Sequence, residues 1–591
     1  MAFNPVEYVK QAYQNSPWVV ISVAFHVVLG AVVVVFTVTE EKKEVEIPVE
    51  VNMAKRPDPP PVVEQPEEAI ERKAVPKNEE AEIVTFEEDA YIPTNDPQED
   101  LHMKRGDPTA AENLPPGATG GTSIGVGIGP GHYGTGVPST YASRRPGGGG
   151  KGRGGGATQG TEAAVLEGLR WLIRHQQDDG YWSAAEVLAK CSELGPKCIP
   201  MDQADSYQRN YDEGLTALSL LAFLGAGYDN TSKQTLVDEA MAKRHSIGEV
   251  IKNGLKWLKE RQNEDGSFTS PRAFMYNEAL AALALSEAYG MTNSRMWKEP
   301  AQKAINFLVN AQKPNPQNST GLWGWRYASK QDVIDRRDRG ELDQNSFEVE
   351  MRDADTSVTT WVVMALKSAS LAGLEVPEDS MKGAQDFITY VTAKDGRVGY
   401  LMPDQAGADL GGHGDQYKYH PAVMSALGML TRTFVSHDID DPVLELGAKW
   451  LVKDPPDIGK ERLSIDYYYW YYGSLALNQF DGPDSPRKSQ TYWNQWNERM
   501  KDCVLQLQDK NSENDVCTRG GWLTPDRWSL SGGPIYSTAI NVLTLEVYYR
   551  YGNAFTGHEK TTKKAAPSDS RKKDAKGDKP SEPAKEDGKG D

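Results

Sequence analysis

Two stretches of this chain repeat each other without a gap. GLRWLIRHQQDDGYW runs from Gly168 to Trp182, and GLKWLKERQNEDGSF runs from Gly254 to Phe268. Each sets Leu-x-Trp-Leu at helical spacing, then Gln, then Asp-Gly, then an aromatic. The pattern predicts an amphipathic helix ended by a Gly cap, with the aromatic folding back onto the hairpin. Weaker copies follow. Ala304–Gln312 leads to Trp323-Gly-Trp325, and Gly383–Tyr390 leads to Gly396 and Tyr400. Gly447–Lys453 is a further copy, and the last runs from Trp493 through Leu507 and Gln508 to Gly521-Trp522.

After each copy comes a second segment, rich in small residues and apolar on nearly every side. Glu213–Leu224 and Glu278–Tyr289 align with each other, and Asp355–Ala369, His420–Leu430, Tyr468–Leu477 and Tyr536–Tyr549 follow. A helix that is apolar all round must be buried. Each repeat therefore pairs a one-sided outer helix with a buried inner one. A straight stack of such units would need polar caps at its ends. The expected fold is all-α, a closed α6/α6 toroid of about six helical hairpins over residues 161–552.

The Gln…Gly-x-Trp/Phe endings resemble those of the prenyltransferase and squalene oxidase repeat family, whose fold is the terpenoid cyclase-like α/α toroid. DTSVTTWVVMALKSASLAGLEVP (Asp355–Pro377) and GGPIYSTAINVLTLEVYYRY (Gly532–Tyr551) look most like membrane-anchored bacterial members. The same toroid occurs in the thioester domains of complement and α2-macroglobulin proteins. The resemblance implies a ring with a central cavity, and three known chemistries can be tested against the residues.

A type II cyclase protonates an alkene with an Asp of a D-x-D-D motif, in a dry cavity that keeps the acid protonated. The nearest match is Arg352-Asp353-Ala354-Asp355-Thr356. Asp355 takes the last carboxylate, but the other two fall on Arg352 and Ala354. Helix capping by Asp355 or Thr356 is the plainer reading. A protein prenyltransferase holds zinc with Asp, Cys and His at inner-helix starts. Asp415 and His420 precede one inner helix, in DQYKYHPAV, but no cysteine starts one. The expectation is no metal and no cofactor, with His420 capping a helix or bonding at the ring mouth. A thioester needs Cys-Gly-Glu-Gln, and Cys191-Ser-Glu-Leu lacks the Gln.

What remains is a mouth lined by inner-helix starts. Tyr211, Asp212, Glu213, Tyr276, Glu278, Asp353, Asp355, Asp415, His420, Asp466 and the aromatic run Tyr467–Tyr472, Tyr468 and Tyr472 included, are the candidates. Aromatic faces with carboxylates suit an unknown glycan, peptide or isoprenoid ligand without chemistry. Simple filling of the ring centre is the alternative. An enzyme of isoprenoid type would use Asp355 or Asp415 as an atypical acid.

The rest of the chain reads differently. Residues 1–16 form a short N-terminal segment. Trp18 to Val38 is uncharged and apolar, about 30 Å as a helix, so residues 17–39 read as a transmembrane anchor. A cleaved signal peptide is the rival, but the only basic residue before the span is Lys10 and no small-x-small site follows. Residues 40–160, acidic and Pro-rich and then Gly-rich, read as a disordered linker, and 553–591 as a Lys-rich tail. With a net charge of −19, nucleic acid is not an expected partner. Ser22 and His26 share one helix face. With the following PDPPPVVEQPEE, this resembles the TonB family of energy transducers. That resemblance implies contact between Ser22 and His26 and a proton-driven ExbB/ExbD-type motor. A hydrogen-bonded or snorkelling histidine is the alternative. The acidic Pro-rich stretch and the paired cysteines favour an inner-membrane protein with its toroid on the periplasmic side. In that compartment, Cys191 with Cys198 and Cys503 with Cys517 are the disulfide candidates, closing two short loops; four unpaired thiols in a reducing compartment are the alternative.

Overall fold

The computed structural model describes residues 157–194, 198, 209–238, 241–269, 273–403, 405, 422–459, 465–510, 517–523, 526 and 528–555. The anchor with Ser22 and His26, the linker up to residue 156, Asp415, His420 and the tail from residue 556 lie outside the described residues. Among the described residues, no helix is long and apolar enough to cross a membrane.

In chain order the elements are α1 (Gln159–Arg174), α2 (Val187–Leu194), α3 (Asp212–Gly225), β1 (Thr235–Asp238), β2 (Lys243–Ser246), α4 (Ile247–Arg261), α5 (Met275–Thr292) and α6 (Arg295–Ala311). Then follow α7 (Lys330–Asp338), α8 (Gln344–Met351), α9 (Thr356–Ala372), α10 (Glu378–Tyr390), α11 (Val423–Ser436), α12 (Pro442–Leu451), α13 (Tyr467–Asp481), α14 (Thr491–Leu507) and α15 (Ser529–Leu545). Helices α3, α5, α9, α11, α13 and α15 form the inner layer. Each packs on the next, and α15 packs back on α3. Helices α1, α4, α6, α10, α12 and α14 form the outer layer. The burial follows the sequence pattern. On α5, small Ala and Gly residues let neighbours approach from all sides, and Met275 and Asn277 through Met291 are all buried. On α4, only one stripe is buried, including Ile247, Ile251, Leu255 and Leu258.

The repeat motif has a specific job. Each motif Gln ends an outer helix and donates two hydrogen bonds. One goes to its own loop and one to the outer helix of the next repeat. Gln176 Nε2 reaches the carbonyls of Gly180 at 2.8 Å and Val250 at 2.9 Å. Gln262 bonds Gly266 at 3.2 Å and Pro300 at 2.9 Å. Gln312 bonds Trp323 at 2.6 Å and Ser380 at 2.9 Å. Gln508 in the last repeat bonds Gly520 at 2.9 Å and Ala164 in α1 at 2.8 Å. The ring therefore closes by the bond that makes three of its other joints. The following Trp is pinned at both its nitrogens. Trp182, Trp325 and Trp522 each donate indole N–H to an outer-helix carbonyl, of Leu172, Leu308 and Val504, at 2.7–2.8 Å. Their backbone N–H groups meet Thr216, Thr359 and Thr538 of the inner helices at 3.0–3.1 Å.

Three features depart from the sequence expectation. A two-stranded antiparallel hairpin, β1–β2, joins α3 to α4. The short helices α7 and α8 form an insert before α9. The last inner helix starts at Ser529 rather than at Tyr536, and bends at Gly533, whose φ is 55°.

Candidate functional site

The inner helices run in one direction, so their N-termini meet at one mouth of the ring. Tyr276 on α5 and Ser357 on α9 share a hydroxyl hydrogen bond of 2.6 Å. The rings of Tyr468 on α13 and Trp528 before α15 lie 5.8 Å apart. The loop after α6 enters the same space. It is held at Trp325, whose carbonyl accepts from Asp355 N–H at 2.9 Å, and at Tyr327, whose carbonyl accepts from Met275 N–H at 3.0 Å. This fixes Arg326 between α5 and α9. Tyr400 is fixed likewise, because its carbonyl accepts from Thr356 N–H at 3.0 Å.

Two carboxylates and one guanidinium sit within this aromatic wall. Arg326 Nε lies 2.8 Å from Asp353, and its Nη1 lies 4.0 Å from Asp355 Oδ2. Its guanidinium lies over the rings of Tyr327 at 5.0 Å and Tyr400 at 5.5 Å. The Tyr327 and Tyr400 hydroxyls hydrogen-bond to each other. Phe274 and Tyr276 continue the wall, 5.6 Å apart by ring centroids. Asp355 is fully buried. Its Oδ1 caps α9, accepting from Val358 N–H at 2.8 Å and Ser357 Oγ at 2.7 Å. Among the described residues, its Oδ2 accepts no hydrogen bond and Arg326 Nη1 donates none. Burial pushes the Asp355 carboxyl up to about 6. Burial raises Tyr276, Tyr400 and Tyr468 above the usual phenol range.

Of the residues picked from sequence, Tyr276, Asp353, Asp355 and Tyr468 come together here. Tyr472 packs behind Tyr468, ring centroids 4.8 Å apart and tilted by 58°. Others hold the scaffold. Glu278 accepts backbone N–H bonds from Phe268 at 2.8 Å and Thr269 at 3.0 Å, and burial pushes it up to about 7. Glu213 pairs with Arg261 at 2.8 Å. Asp212 is buried and pushed up to about 7. Tyr211 packs on Phe274, centroids 5.6 Å apart. Asp466 caps α13 through Tyr469 N–H at 2.8 Å and accepts from Trp528 Nε1 at 3.1 Å. Asp526 accepts from Tyr467 N–H at 3.0 Å and Ser529 Oγ at 2.6 Å. Sequence reasoning missed Arg326, Tyr327, Tyr400 and Asp526. Arg326 and Tyr327 directly follow the motif ending Trp323-Gly-Trp325, and Tyr400 is itself the aromatic of the fourth copy's ending, so the repeat marks all three positions.

The cysteines depart from the expected local pairs. Cys517 in the last repeat lies against Cys198 in the first, Sγ to Sγ 3.2 Å. Cys191 belongs to the same group, and His175 sits among all three. All four cysteines are unbridged and buried. Cys503 is carried by α14 and stands outside this cluster. The local spacing misled because ring closure brings the last repeat beside the first.

The architecture defines the chain's class as an α/α toroid. No known protein family and no curated protein matches the chain. Among solved structures, the type II terpene cyclase MstE from Scytonema in its apo form is 13% identical, with TM-score 0.39, over 66% of this chain and 98% of that one. An inactive variant of α-1,6-mannanase GH76A of Salegentibacter sp. HEL1_6, bound to α-1,6-mannotriose, is 12% identical, with TM-score 0.40, over 66% and 99%. A protein from Actinoplanes is 13% identical, with TM-score 0.36, over 66% and 99%. These proteins are what the chain is similar to. The evidence for the ring is its own Gln508–Ala164 closure.

Proposed function

We propose that the toroid is a non-catalytic binding module for a neutral, hydroxyl-rich ligand such as a glycan. One observation carries this reading. Asp355 Oδ2 offers a buried acceptor and Arg326 Nη1 a buried donor, 4.0 Å apart and both without a hydrogen bond among the described residues. A group that donates to one and accepts from the other satisfies both, and an alcohol does so at ordinary hydrogen-bond length. The surrounding Tyr and Phe faces suit the C–H face of a sugar ring. Alkene protonation fits poorly. One Asp355 oxygen is committed to the helix cap, and the nearby Arg326 favours the charged form.

The test uses the purified full chain in detergent. Neutral oligosaccharides of differing linkage are titrated while tryptophan fluorescence is followed. Saturable binding by the parent, weakened at least tenfold in Asp353→Asn and Tyr276→Phe, supports the reading. Turnover of a geranylgeranyl substrate that is lost in Asp355→Asn replaces it with an isoprenoid-handling enzyme. No response to any sugar sinks it.

The module's setting is part of the same proposal. Residues 17–39 tether it to the inner membrane, with the ring on the periplasmic side, supported by the uncharged apolar run from Trp18 to Val38. The Ser22–His26 pair supports a second reading, coupling to an ExbB/ExbD-type motor. Unchanged co-purification of such a partner with the His26→Ala chain removes that reading.

A further inference from the structure

At the seam of the ring, four ligand-type side chains converge. His175 Nε2 lies 3.4 Å from Cys198 Sγ, 3.6 Å from Cys517 Sγ and 3.7 Å from Cys191 Sγ. Cys198 and Cys517 are 3.2 Å apart, and the four ligand atoms all lie within 4.8 Å of one another. All four residues are buried. We propose that His175, Cys191, Cys198 and Cys517 form a structural zinc site that clasps the first repeat to the last.

The geometry approaches a tetrahedral Cys3His site, and the Cys198–Cys517 sulfurs at 3.2 Å must spread to about 3.8 Å when the ion enters. Zinc–sulfur bonds of about 2.3 Å and zinc–nitrogen bonds of about 2.0–2.1 Å place the ligand atoms of a tetrahedron roughly 3.5–3.8 Å apart. The three sulfur–nitrogen separations fall at or near this range. The histidine is already oriented for the role. Its Nδ1 hydrogen-bonds the Trp171 carbonyl at 2.8 Å, so Nδ1 carries the proton and the Nε2 lone pair points to the sulfurs. The imidazole is also stacked on Trp171, ring centroids 3.9 Å apart. Three thiolates and a neutral imidazole around a divalent ion leave one negative charge. Arg174, the residue before His175 and the last of α1, is ion-paired with buried Asp238 and donates to the carbonyl of Arg519, two residues beyond Cys517. On binding, the three thiols release their protons to the medium.

No open coordination position is implied, because four protein ligands complete the shell, so the role is structural. The ion would join chain segments 342 residues apart, Cys517 to His175. It reinforces the seam that Gln508 closes through the backbone.

Metal analysis of the full chain, purified without chelator, tests this. The expected result is about one zinc per chain. Cys517→Ser should lose most of it, and Cys503→Ser should keep it. Replacing zinc by cobalt(II) should give the intense visible bands of a tetrahedral thiolate site and a sulfur-to-metal band in the near ultraviolet. If Cys517→Ser does not fold, His175→Cys, which keeps four ligands, should retain the metal. A chain without metal, or one whose mass and peptide map show a Cys198–Cys517 disulfide, overturns the proposal. So does zinc retained in Cys517→Ser at the parent's level.

Discussion

Gln508 donates its side-chain amide to the carbonyl of Ala164 across 344 residues of chain, at 2.8 Å and fully within the protein. It is the same contact that Gln176, Gln262 and Gln312 make with the repeat that follows each of them. One residue type thus serves as the joint at the seam and at three joints between repeats. Gln508→Ala leaves the carbonyls of Ala164 and Gly520 buried without this donor. The Ala164 carbonyl keeps its bond within α1, so the orphaned group is the Gly520 carbonyl, and the loss should be about 1–3 kcal/mol in urea unfolding. Gln495→Ala, exposed on α14, should change stability by less than about 0.5 kcal/mol.

Two glycines separate backbone strain from crowding. Gly520 has φ +87°, and an added Cβ would lie 2.3 Å from the Glu167 carbonyl oxygen. Gly373 has φ +82° with nothing within 4 Å. Gly373→Ala should cost only the left-handed backbone penalty, about 1–2 kcal/mol. Gly520→Ala must also move α1 away from the seam, and should cost at least twice as much by thermal or urea unfolding.

The buried carboxyls make stability depend on pH. Asp355, ordinarily near 3.8, is pushed up to about 6 by burial, with hydrogen bonds from Val358 and Ser357 and the nearby Arg326 acting against it. Below 3.8 both folded and unfolded chains hold the proton. As pH rises, the unfolded chain releases it first, which favours unfolding until the folded carboxyl ionises too. Asp526 and Glu278, pushed up to about 7, act in the same sense. Melting temperature should therefore fall between pH 4 and pH 8, apart from exposed groups. Asp355→Asn keeps the helix cap and should remove on the order of 1–3 kcal/mol of that decline. A variant with the parent's slope would refute the assignment.

The opposite end of the ring holds an ion pair. Arg550 Nη2 lies 3.1 Å from Glu287, and their side chains are 1% and 0% exposed. The Tyr551 hydroxyl also reaches Glu287 at 3.1 Å. Arg550→Met leaves Glu287 buried without its cation, at a cost of about 3–5 kcal/mol. Combining it with Glu287→Gln should recover much of that loss, measured as a double-mutant cycle by urea unfolding.

What the sequence determined was the alternation. Helices with one apolar stripe and helices apolar all round cannot both be satisfied except in two layers, and the Gln–Gly–aromatic spacing located the loops between them. Capping by Asp355 was also legible, since a cap is a local bond between neighbours in the chain. The partners across the ring were not. Arg326 meets Asp353 and Asp355 only because the loop after α6 is pinned to the starts of α5 and α9. Cys517 meets His175, Cys191 and Cys198 only because the last repeat returns to the first. Helical periodicity is a short-range signal, read within a few turns. Contacts made by closing a ring join residues hundreds of positions apart, and only the folded chain decides which of them touch.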